Sequence, residues 1–113
     1  MYLPKSDIYN SLKELNYFVS QTQPSEFTTL PAIIFNLGNN SINADLDNNI
    51  SSQDIEVVID IWAEDSVTAS KVLSQVENIM RINLYTMSFS SDIPNIGNLY
   101  HINCRFTKIV WRR

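Results

Sequence analysis

Residues 54–80 read DIEVVIDIWAEDSVTASKVLSQVENIM, and this stretch decides the fold. In its first half Ile55, Val57, Ile59 and Ile61 alternate with Glu56, Val58, Asp60 and Trp62. A period of two, filled by β-branched residues, marks a strand with one buried face. From Ser66 onward the period changes. Ala69, Val72, Leu73, Val76, Ile79 and Met80 recur every three to four residues, which predicts an amphipathic helix. Asp65 or Ser66 is placed to accept hydrogen bonds from the first free backbone N–H groups and so to start that helix. A strand that runs straight into a helix lets the helix fold back across the sheet. The rest of the chain must pack on this unit.

Upstream, the spacing of Ile8, Leu12 and Leu15 predicts a short helix over 6–15, entered after Pro4 and too short to stand alone in water. Residues 16–29 are mainly connection. Within them Tyr17-Phe18-Val19 is either a short extended piece or the end of the helix. Residues 30–38 form a second strand, with Ile33, Phe35 and Leu37 on one face, Pro31 at its start and Gly38 ending it. The polar run 39–53, NNSINADLDNNISSQ, predicts a long loop with a mobile tip, because Asn, Ser and Asp side chains compete with the backbone for hydrogen bonds. It would close a hairpin between strands 30–38 and 54–63.

Downstream, 84–92 alternates again, with Tyr85, Met87 and Phe89 on one side, and 93–98 is a turn-rich connection. Residues 99–111 form the longest strand. Tyr100, Ile102, Cys104, Phe106 and Val110 face one way; His101, Asn103, Arg105 and Thr107 face the other. Lys108 then falls on the apolar side, and Ile109 and Trp111 on the polar side. That break predicts a bulge near Thr107 or Lys108, or a strand end covered on both faces. The element order predicts a single α+β domain over 1–113. It has a small antiparallel or mixed sheet of about four strands, two helices on one face, and a long loop at 39–53.

Composition narrows the function. With 113 residues, 44% apolar and 18% charged, the chain suits one globular domain. The single cysteine, Cys104, leaves no internal disulfide framework. A net charge of −4 disfavours duplex DNA binding through phosphate neutralisation. No apolar run is long enough for a membrane span, and MYLPKSDIYNSL lacks a signal-peptide core, so neither a membrane nor a secretory role is expected. Acidic residues dominate up to Asp65, whereas Arg105, Lys108, Arg112 and Arg113 crowd the other end. This asymmetry either steers copies of the chain together or forms a solvated surface of mixed charge.

The chemistry-bearing motifs are missing. With two glycines in all, Gly38 and Gly97, no glycine-rich phosphate cradle can form. His101 is the lone histidine, and Cys104 points to the opposite face of the same strand. No catalytic residue, cofactor site or metal site is therefore expected. Asp54, Glu56 and Asp60 share a strand face and are read as facing solvent or a basic partner rather than a cation. Trp62 shares that face. It belongs either to a contact surface or beneath a helix.

Several of these features occur together in one family. Ile8-Tyr9 with Leu12, the Leu30-Pro31-Ala32-Ile33-Ile34-Phe35 strand, the polar loop, Val57-Val58-Ile59-Asp60-Ile61-Trp62-Ala63-Glu64-Asp65 leading into an Ala/Val/Leu helix, and the final strand Tyr100 to Trp111 resemble the tail terminator, or tail completion, proteins of long-tailed phages. The chain departs from them in its short 16–29 connection and its glycine-free 39–53 loop.

The resemblance implies a non-enzymatic virion protein, at work where the phage or prophage tail joins the head and assembled in the bacterial cytoplasm. It implies a homo-oligomer, a hexameric ring, that caps the tail tube protein and meets the head connector while DNA passes through unbound. Asn39, Asn40, Ser41, Asn43, Asp45, Asp47, Asn48 and Asn49 are then the candidate contact loop. Asp60, Trp62, Glu64, His101, Arg105 and Arg112 are the candidate subunit interface. The competing readings are another neck or baseplate component, a small binding module of a bacterial complex, and, last, an enzyme built on His101 or the strand carboxylates.

Overall fold

The computed structural model describes residues 4–22, 29–44, 50–96 and 99–111. Its elements are α1 (Pro4–Lys13), β1 (Phe18–Ser20), β2 (Ala32–Ala44), β3 (Ile50–Ala63), α2 (Ser66–Ile82), β4 (Thr86–Ile96) and β5 (Leu99–Trp111). They form one five-stranded sheet in the order β1-β2-β3-β5-β4. β1 runs parallel to β2, and every other pairing is antiparallel. The fold is α+β with a mixed sheet. The fifth strand is β1, which settles the choice left open at Tyr17-Phe18-Val19.

Both helices pack on the same face of the sheet. Ile8 and Leu12 of α1 and Ala69, Val72, Val76 and Met80 of α2 share one buried cluster with Val19, Ile33, Phe35, Val57, Ile59, Ile61, Ile102, Cys104 and Phe106. Apart from Val19, these are the strand positions assigned to the buried face by alternation. Asp65 is the N-cap of α2; its carboxylate accepts from the Thr68 backbone N–H at 2.7 Å and from the Thr68 hydroxyl at 3.1 Å. Those bonds hold the Asp65 carboxyl below its ordinary pKa, the backbone bond most of all. At the other end the Leu84 N–H donates to the Arg81 carbonyl and the Tyr85 N–H to the Met80 carbonyl, both at 2.9 Å. That is a Schellman closure, with Leu84 at φ 69° where glycine is usual.

Four expectations are corrected. First, Gly38 does not end β2. It sits at a bulge between Leu37 and Asn39, and a Cβ there would overlap the Glu56 carboxylate. Second, 39–53 is not a long loop: Asn39–Ala44 and Ile50–Gln53 continue the two strands, and only 45–49 lie outside the described residues. Polar side chains stitch that extension across the strands. Asn43 Nδ2 donates to Ser52 Oγ at 3.0 Å and to Asp54 Oδ2 at 3.1 Å, and Gln53 Nε2 donates to Asn40 Oδ1 at 2.6 Å. Third, β5 keeps unbroken register with β3 from Tyr100 to Trp111, so there is no bulge at Thr107 or Lys108. Lys108 instead holds its ammonium 5.2 Å from the Tyr85 ring centre on the helix side. Fourth, β4 runs on through 93–96 with two register shifts against β5, one between Ile93 and Ile96 and one at Ser88, which turns Phe89 to the helix-free face.

The long strands outrun the helices. β3 has 14 residues, roughly 48 Å at about 3.4 Å each, whereas the 17 residues of α2 span roughly 26 Å. β2, β3 and β5 therefore project as a three-stranded arm, and the described protein measures 54 × 25 × 22 Å.

Candidate functional site

The helix-free face carries most of the singled-out residues, because β3 and β5 pair in register. Asp60 lies opposite Asn103, and Trp62 opposite His101. Asp60 Oδ1 contacts His101 Nε2 at 2.7 Å and accepts from Asn103 Nδ2 at 2.9 Å. The His101 ring stacks on Trp62, with centroids 3.9 Å apart and planes at 14°. One row along, Arg105 faces Glu56 at 3.7 Å and lies 5.9 Å from the Phe89 ring centre.

Trp62 is buried, although no helix covers it. It forms a second small cluster with Ala32 and Ile34, against which Leu30 and Leu99 pack. Leu30, just ahead of β2, therefore roofs this end of the face. With its amide turned to donate, Asn36 also reaches the Gln21 carbonyl at 3.1 Å. Neither reading given for Trp62 from sequence describes its place fully: it is interior to the helix-free face, beneath histidine and leucine side chains.

Beyond this cluster the face opens onto the arm. Ser41, Asp54 and Ile109 form one row across β2, β3 and β5, and Asn43, Ser52 and Trp111 form another. Ile109 is 53% and Trp111 70% exposed, so the strand end is not covered. At the opposite end of β5, a recess of about 160 Å³ is lined by Ser66, Ser70, Asp92, Tyr100, His101 and Ile102, among others. Among the described residues no group of three or more His, Cys, Asp or Glu side chains is arranged to hold a metal.

Burial raises the Cys104 thiol to a pKa of about 12, with the Asp60 charge adding to the effect. Its Sγ reaches the Ile59 carbonyl at 3.5 Å. It is a small core residue.

No protein-family model matches the chain, and no curated protein matches it.

The two candidate groups are separated by the fold. Asp60, Trp62, His101 and Arg105 share the helix-free face, and Glu64 is exposed in the turn after β3. Asn39, Asn40, Ser41 and Asn43 belong to the arm as strand residues. Asp45, Asp47, Asn48, Asn49 and Arg112 lie outside the described residues. Asn103 joins the Asp60 cluster without having been singled out. Its shared face with His101 was visible from alternation, but the β3–β5 register that brings it to Asp60 was not. The acidic and basic halves of the chain also meet within one subunit, since Glu56 faces Arg105 across neighbouring strands.

Proposed function

We propose that this protein is a tail terminator of a long-tailed phage or prophage. Copies form a ring, six in number by the family resemblance, that caps the tail tube, halts its growth and joins it to the head connector. The observation that carries the reading is the arm formed by β2, β3 and β5, which reaches beyond the helices and exposes Ile109 and Trp111. An exposed tryptophan with an adjacent isoleucine is an anchor for a partner surface. Among the described residues, Asp54, Glu56 and Asp60 against the single Arg105 give the same face a negative bias, which suits a channel that DNA slides through without sticking.

Light scattering of the protein alone, and then with purified tail tubes, tests the proposal. A six-fold mass, or a monomer that caps tube ends, supports it. A protein that forms no ring and leaves tubes uncapped overturns it. The recess beside Tyr100 and His101 favours a second reading, a binding module for a small polar molecule. Ligand-induced NMR shifts confined to that recess, in a protein that ignores tubes, would select it.

A further inference from the structure

Among the described residues the arm has two edges that no strand covers. β1 pairs with β2 only as far as Ile34, so from Phe35 to Ile42 β2 borders β3 on one side and no strand on the other among the described residues. β4 pairs with β5 only from Thr107 inward, so among the described residues Ile109 to Trp111 likewise border β3 alone. Soluble proteins guard such edges with charges, prolines or covering segments. Residues 35–42, FNLGNNSI, contain no charge and no proline, and their one irregularity is the bulge at Gly38. Residues 109–111, Ile-Val-Trp, are among the strongest strand formers.

We infer that these edges are made for each other: the β2 edge of one copy pairs with the β5 edge of the next, so that the arms of successive subunits form one continuous sheet. This rests on the ring reading above and specifies its contact.

Direction and face both fit. β2 and β5 are each antiparallel to β3 and so run the same way along the arm. In a ring whose arms all point one way, the two edges meet as parallel strands and the helix-covered faces stay on one side. Ile42, 44% exposed, then comes beside Val110 on the helix side, and Ser41 beside Ile109 on the helix-free side. The contact is head-to-tail, using two different surfaces, and such contacts generate rings when their rotation closes.

A cysteine pair tests this. Within one chain Ser41 and Ile109 stand two strand spacings apart, about 10 Å, too far for a disulfide. In neighbouring copies paired as inferred they stand one spacing apart. Oxidation of the Ser41→Cys/Ile109→Cys variant should give a ladder of linked subunits ending at the ring number, while each single variant stays unlinked. Cys104, buried in the core, stays out of the reaction. Ile42→Lys in the double-cysteine background should abolish the ladder without lowering the melting temperature. Dimers from Ser41→Cys alone would mean a two-fold β2–β2 contact and overturn the inference. A ring with no ladder would overturn it too, while leaving the tail-terminator reading intact. A ladder in a protein that never caps tubes would uphold the edge pairing and remove that reading.

Discussion

The cluster around Asp60 makes a quantitative prediction. Its carboxylate is the shared acceptor for His101 and Asn103, at 2.7 and 2.9 Å. The side chains are mostly shielded, 16% exposed for His101 and 21% for Asp60, so water replaces the lost bonds only in part. A hydrogen bond to a charged group contributes about 1.5–3 kcal/mol net. Two bonds converging on one oxygen at a partly wet site place Asp60→Ala below the roughly 3–6 kcal/mol of their simple sum, at about 2–3 kcal/mol. For a domain of this size that lowers the melting temperature by roughly 8–12 °C. His101→Ala removes one of those bonds and the stacking on Trp62, the latter about 0.5–1.5 kcal/mol. The double variant should therefore cost less than the sum of the singles, by about 1–2 kcal/mol. Urea unfolding of the four proteins, with the slope unchanged across the set, measures this coupling. A coupling below about 0.5 kcal/mol would mean that the two residues are neighbours without being partners.

Three further outcomes are expected. Leu84→Gly should raise the melting temperature, whereas Leu84→Ala should not, because only glycine relieves a left-handed residue that is 76% exposed and has little packing to lose. Asp65→Ala should destabilise the protein at neutral pH. A carboxyl whose folded pKa is depressed contributes above its unfolded pKa and loses that contribution as pH falls through the folded one, so acid melts of wild type and variant should converge. Cys104 should react with thiol reagents at mildly alkaline pH only as fast as the protein unfolds, since burial holds its pKa near 12; rapid labelling of the native state would contradict its place in the core.

The sequence is most legible where one face is wholly apolar. The alternation from Ile55 to Ile61 and the span of β5 stand as read, because a one-residue slip there would move the whole buried set into water, and of the two caps offered for α2 Asp65 is the one used. It is least legible at 39–53. Local chemistry there favours turns, but pairing with β3, and β5 on its far side, imposes a strand. No local pattern reveals that Gln53 will meet Asn40, or Asn43 meet Asp54. The break at Ile109 and Trp111 was a true signal with a different cause: two apolar side chains stand exposed on an otherwise polar face. In the site, which strand faces carry Asp60, Trp62 and His101 was readable from alternation. Their meeting depends on β3–β5 register, which alternation fixes only in parity.

The unequal lengths of the strands give the molecule a taper. At the helix-covered end the sheet is five strands wide, and at the arm it is three. With strands about 4.8 Å apart, the subunit narrows by roughly 10 Å along its length. A keystone of this kind, repeated around an axis with its narrow ends touching, closes as a funnel rather than a straight pipe. Six copies would differ in radius by roughly 9 Å between mouth and throat on that strand spacing. The two short pairings that stop early, β1 with β2 and β4 with β5, would then set how steeply the funnel opens.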